Sequence, residues 1–68
     1  MPSEKDKAAI GPVEALSLAL SREIEAAKMH KGFALAHTVA KDIFIYLMNE
    51  EQKHRALIEK KIAEYTRG

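Results

Sequence analysis

The sequence predicts an all-α protein: an antiparallel helical hairpin that pairs with a second copy to form a four-helix bundle. Three observations predict it. Apolar residues recur at three- and four-residue steps along most of the chain, the period of an α-helix. Only three glycines and two prolines interrupt its 68 residues, and 47% of them are hydrophobic, which suits an ordered helical chain. A domain this short buries little core by itself, and without cysteine neither disulfides nor thiolate metal sites can brace it. Self-association is the remaining source of stability.

Residues 1–9, opening "MPSEKDK", read as a flexible polar tail. In "IGPVEA" Gly11 is an acceptable N-cap, Pro12 fits the first helical position and Glu14 places negative charge in the first turn. Val13, Leu16, Leu20, Ala27 and Ala34 then mark the inner stripe of a first helix over about 12–35. Two places could end it. Gly32 is a natural stop, whereas a turn over about 36–38, with Thr38 as the next N-cap, gives helices of nearly equal length. The second helix, about 39–66, carries the stripe Ala40, Phe44, Leu47, Ile58, Ile62 and Tyr65. Lys60, Lys61 and Arg67 near its end suit the helix dipole. One heptad register runs from Leu16 through Glu23, His30, His37, Phe44, Glu51 and Ile58 to Tyr65, so a single long coiled-coil helix competes with the hairpin. Gly32 and the rarity of such long helices in small domains favour the hairpin.

Charge excludes some functions. Eleven basic residues against ten acidic ones leave a net charge of +1 with the signs interleaved. That balance points away from nucleic acid and from membrane surfaces as partners. No apolar run approaches the length of a membrane span, and the polar start does not resemble a signal peptide, so a cytoplasmic location is expected.

Polar residues interrupt the inner stripe at two places. Glu51 and His54, three apart in "NEEQKH", occupy its middle on the second helix. Alone, a Glu-x-x-His is a weak signal. Glu23, however, lies in the stripe of the first helix, one turn past Leu20. A carboxylate inside a helical interface needs a partner, because burying it unpaired costs several kcal/mol. A turn near residue 38 brings Glu23, Glu51 and His54 to one level of the hairpin, and a turn at Gly32 does not. One hairpin then supplies half of the donor set of a carboxylate-bridged dinuclear site, and two copies about a two-fold axis supply all of it. Carboxylates bridge hard cations and imidazole suits iron, so the expected metal is a pair of irons, with manganese as the substitute.

"EALSLALSREIEAAKMH … FIYLMNEEQKH" resembles the rubrerythrin and ferritin-like di-iron family, and among it the short two-helix members that include encapsulated ferritins. The match rests on Glu23 and Ala26, then on Phe44, Leu47, Glu50, Glu51 and His54, and covers about residues 13–65. His30 stands where that family has an aromatic residue, usually Tyr, and the gap from Glu23 to Glu51 is a few residues shorter than usual. The resemblance implies a ferritin-like bundle with Glu51 as bridging carboxylate and Glu23 and His54 as terminal ligands. It also implies oxidation of Fe(II) by oxygen or peroxide, as a ferroxidase or a rubrerythrin-like peroxidase. The partners it implies are a second copy of the chain, and an encapsulating shell or an external electron donor.

The remaining candidates have blander readings. Glu50 is expected to face outward or support the rim, and Glu25 to be solvated. His30 stands two turns along the helix from Glu23, about 10 Å. It is therefore expected outside the ligand set, and both it and His37 are read as buried or interface histidines hydrogen-bonded across chains. Tyr46 and Tyr65 are read as packing residues. "IFIYLM", residues 43–48, is apolar nearly all round the helix, which points to a further contact surface. The rival to the iron reading is a helical-hairpin or coiled-coil oligomerisation module in which Glu23 and His54 make only a hydrogen bond.

Overall fold

The computed structural model describes residues 10–67, and the chain is all-helical there: α1 over Pro12–Ala36, one 3-10 turn over Thr38–Ala40 and α2 over Lys41–Arg67. The tail expected over residues 1–9 lies outside the described residues. Gly11 is the N-cap of α1, in extended backbone with no side-chain cap, and its carbonyl accepts the first helical bond from the Ala15 N–H at 3.0 Å. Pro12, which lacks an N–H, takes a position where that donor would have no helical partner.

α1 runs straight through Gly32, which is exposed and helical. One mid-helix glycine costs only about 1 kcal/mol relative to alanine, and Phe33 and Ala34 beyond it gain more by continuing onto α2. A Cβ at Gly32 would meet nothing within 4 Å. Gly32→Ala should therefore raise stability by about 0.5–1 kcal/mol, read as a higher midpoint in thermal or urea unfolding.

The helix ends at His37, whose backbone (φ −126°, ψ 78°) leaves the helical region while its N–H still donates to the Phe33 carbonyl at 2.8 Å. The β-branched pair Thr38 and Val39 follows, and such residues favour helices weakly. The N-cap expected at Thr38 is corrected here. His37 holds the capping position without a side-chain cap, and Thr38 is already the first residue of the 3-10 turn. A single residue out of helical backbone is enough to reverse the chain, so none was left over for a capping threonine.

The two helices lie antiparallel, because partners recede evenly on both sides of the connection. Phe33 meets Phe44 (ring centroids 5.3 Å apart), His30 reaches Glu51, and Glu23 reaches His54. Small residues hold the seam: Ala27 and Ala34 are the only buried side chains among the described residues. One side of the seam is a shallow groove between Ile24, Lys28 and Lys31 of α1 and Met48, Gln52 and Arg55 of α2. At 100° per residue, the other side carries Ala19, Ala26 and Phe33 of α1 with Ile43, Leu47, His54 and Leu57 of α2. One face of the hairpin is thus lined by cations, and the other carries these apolar side chains together with Glu50 and Lys61. Along α2, Glu50–Lys53, Arg55–Glu59 and Lys61–Glu64 form surface ion pairs, and Glu64 holds the Lys61 ammonium above its ordinary pKa. Such pairs contribute little to stability. Among the described residues, no helix is long and apolar enough to cross a membrane.

Candidate functional site

The connection at His37–Ala40 sets which polar residues of the stripe meet. Counted outward from it, Glu23 and His54 stand level, and Glu23 Oε1 lies 3.4 Å from His54 Nδ1. Glu51 stands one turn nearer the connection. Its Oε1 is held by His30 Nδ1 of the same chain at 2.8 Å. The site is therefore two carboxylate–imidazole couples, one above the other along the seam, with one carboxylate contributed by each helix.

The couples differ in burial. His30 and Glu51 side chains are 15% and 13% exposed, whereas His54 is 53% exposed and Glu23 24%. Glu51 and His30 are enclosed by the seam, with the His30 ring stacked on Phe44 at 6.0 Å between centroids. Phe33 also tilts onto Phe44. A carboxylate only accepts hydrogen bonds, so its bond to His30 places an imidazole proton on Nδ1. His54, at the border of the apolar face, keeps half of its surface open.

His30 corrects the sequence reading. Counting its distance from Glu23 along one helix placed it outside the site and paired it across chains. What matters is its distance from Glu51 across the seam. Helical side chains lean toward the N-terminus of their own helix. In an antiparallel pair His30 consequently leans away from the connection while Glu51 leans toward it, and the two converge. The signal was present as the seven-residue step from Glu23 to His30, which keeps both on one stripe. His37, in the same register, caps α1 and is exposed, with its ring tilted onto Phe33 at 6.2 Å. Tyr46 and Tyr65 are 57% and 54% exposed in the hairpin. Glu25 is exposed, and Glu50 points to Lys53 at 3.2 Å.

In kind, the donor set fits iron or manganese, since oxygen donors from two carboxylates and nitrogen donors from two imidazoles match those ions. In number, one hairpin falls short: among the described residues, no three His, Asp or Glu side chains are grouped to hold a metal ion. Compared with family models, curated proteins and solved structures, the chain matches none.

Proposed function

We propose that this chain is a ferritin-like iron protein, assembled from at least two hairpins, that binds Fe(II) between copies and oxidises it with oxygen or peroxide. One observation carries the reading: the polar couples Glu23–His54 and Glu51–His30 sit mid-seam in a hairpin that, among the described residues, buries only two alanines. A stable domain needs two packed layers around a core, and a lone helix pair is one layer. A second copy laid on the apolar face covers Phe33, Ile43 and Leu57, exposed by 40%, 51% and 66%. It also brings a second His54 and Glu23 to the rim of the first, and doubles the donors.

In that assembly Glu23, Glu51 and His54 of each copy are the residues that hold iron, with manganese as the substitute metal. Bound iron would supply the redox chemistry, giving electrons to oxygen or peroxide. Glu51, 13% exposed, would contribute negative charge within the seam and so offset the charge of the cations. The half-open His54 supplies nitrogen from the face where the copies meet. Phe33 and Phe44 exclude water on the side of the connection. The chain has no cysteine for a rubredoxin-type iron centre, so a peroxidase role would draw its electrons from an external donor. A ferroxidase role, by contrast, takes Fe(II) itself as substrate, and an encapsulating shell would be the destination of the ferric product.

The shortage of donors within one hairpin favours a second reading, a non-catalytic hairpin or coiled-coil oligomerisation module. Anaerobic titration with Fe(II), followed by air, separates the two. The iron reading expects about one iron per chain and ferric absorption in the near ultraviolet. Glu51→Ala and His54→Ala should each lower bound iron at least tenfold while keeping the helical circular-dichroism signal. No iron uptake by the parent, or equal uptake by the variants, establishes the oligomerisation module instead.

A further inference from the structure

We propose that the face carrying Leu57 docks on the same face of a second copy with the helices antiparallel, in a register set by crossed charges. The inference shares the two-copy assembly of the reading above and needs no metal. The observation is a palindrome. Tyr46, Glu50, His54, Leu57, Lys61 and Tyr65 form one stripe along that face of α2, at steps of four, four, three, four and four residues. Tyr46 and Tyr65, Glu50 and Lys61, and His54 and Leu57 therefore share one midpoint, between Arg55 and Ala56. A two-fold interface between identical chains needs this property, because residue i meets j while j meets i. With the axis at that midpoint, Tyr46 lies on the partner's Tyr65, Glu50 on the partner's Lys61 and His54 on the partner's Leu57.

α1 repeats the pattern independently. Leu18, Arg22, Glu25 and Met29 stand on the same side of the seam, at steps of four, three and four. Leu18 and Met29 are 44% and 48% exposed, and among the described residues neither Arg22 nor Glu25 has an ion-pair partner. Their midpoint falls between Glu23 and Ile24, level with Arg55 and Ala56 across the seam, beside the Glu23–His54 contact. One axis thus serves both helices, and it crosses Arg22 with the partner's Glu25. A parallel docking would set every charge against its own copy, which like-charge repulsion opposes. Glu50 and Lys61 also hold Lys53 and Glu64 of their own helix, but such surface pairs contribute little and do not compete with the crossing. The antiparallel docking further lays the partner's Leu57 over the open half of His54.

Two measurements test this. The chain has no cysteine, so thiols can be placed one at a time. Tyr46 and Tyr65 of one helix stand about 28 Å apart, whereas packed helices are about 8–10 Å apart. With a bis-maleimide of the shorter reach, the chain carrying both Tyr46→Cys and Tyr65→Cys should run at twice 7.6 kDa on a denaturing gel, and neither single variant should. Linking of a single variant, or no linking of the double, overturns the register. Glu50→Lys should raise the dimer dissociation constant about tenfold in sedimentation, since symmetry breaks two crossings at once. Adding Lys61→Glu should bring it back to within about threefold of the parent, although the pairs to Lys53 and Glu64 stay broken. A double variant as weak as Glu50→Lys overturns the crossing while leaving the two-copy assembly and the iron reading standing. A parent that remains a folded single chain overturns the assembly and this inference together.

Discussion

Ala34→Asp leaves the chain unfolded at 25 °C, with its helical circular-dichroism signal reduced to a small fraction of the parent's. Ala34 is 7% exposed and is one of the two side chains that the helices bury between them. Nothing larger than a methyl group occupies that point of the seam, so a carboxylate there either stays unpaired in an apolar seam or wedges the helices apart. An uncompensated buried charge costs about 3–5 kcal/mol. Stabilities of about 0.05–0.15 kcal/mol per residue give a chain of this length about 3–10 kcal/mol in total, and one with so small a core belongs at the low end. The control is the next residue. Leu35 is 74% exposed, and Leu35→Gln should shift the urea midpoint by no more than about 0.5 kcal/mol. A folded Ala34→Asp variant would show that the seam is not where the helices derive their stability.

Ile43→Glu combined with Leu57→Glu has an effect of the same size by a different route. Both side chains stand on the apolar face and are 51% and 66% exposed in the hairpin. If the hairpin worked alone, each substitution would cost less than about 0.5 kcal/mol. Against a second copy, each becomes a charge pressed into an apolar interface. Sedimentation equilibrium should give the parent a mass of at least twice 7.6 kDa and give the double variant a single chain with much reduced helicity. Lys28→Ala, on the cationic face, should keep the parental mass. A parent that sediments as a folded 7.6 kDa monomer removes the two-copy assembly, and with it the shared iron site.

The helices were legible in the sequence because they rest on local causes. The Gly11–Pro12–Glu14 start, the apolar period and the run of good helix formers in α2 each act within a turn or two. The end of α1 was half legible. The sequence offered Gly32 and residues 36–38 as rivals, and the structure has Gly32 inside α1 and His37 as its cap. A glycine permits an ending without requiring one, and tertiary contacts of Phe33 decide in favour of continuing. The capping role of Thr38 failed because a 3-10 turn needs no side-chain cap. In the site, Glu23 and His54 were brought level by counting from the turn, since residue number converts directly into axial distance. The bond of Glu51 to His30 was hidden because it depends on the lean of side chains, which a count along one helix ignores. Which apolar residues stay exposed in the hairpin is hardest to read, since Tyr46 looks the same in sequence as a buried residue.

The short connection also sets an order in time. Phe33 and Phe44 are 11 residues apart, His30 and Glu51 are 21 apart, and Glu23 and His54 are 31 apart. Loop closure becomes costlier with length, and helices elongate within nanoseconds per residue, so the contacts form outward from the connection like a zipper. Aromatic packing closes first, the Glu51–His30 couple second and the Glu23–His54 couple last. Fraying runs in reverse from the free ends. The couple that opens first is therefore the more exposed one, and the hairpin behaves as tweezers whose tips part while the grip on Glu51 is kept.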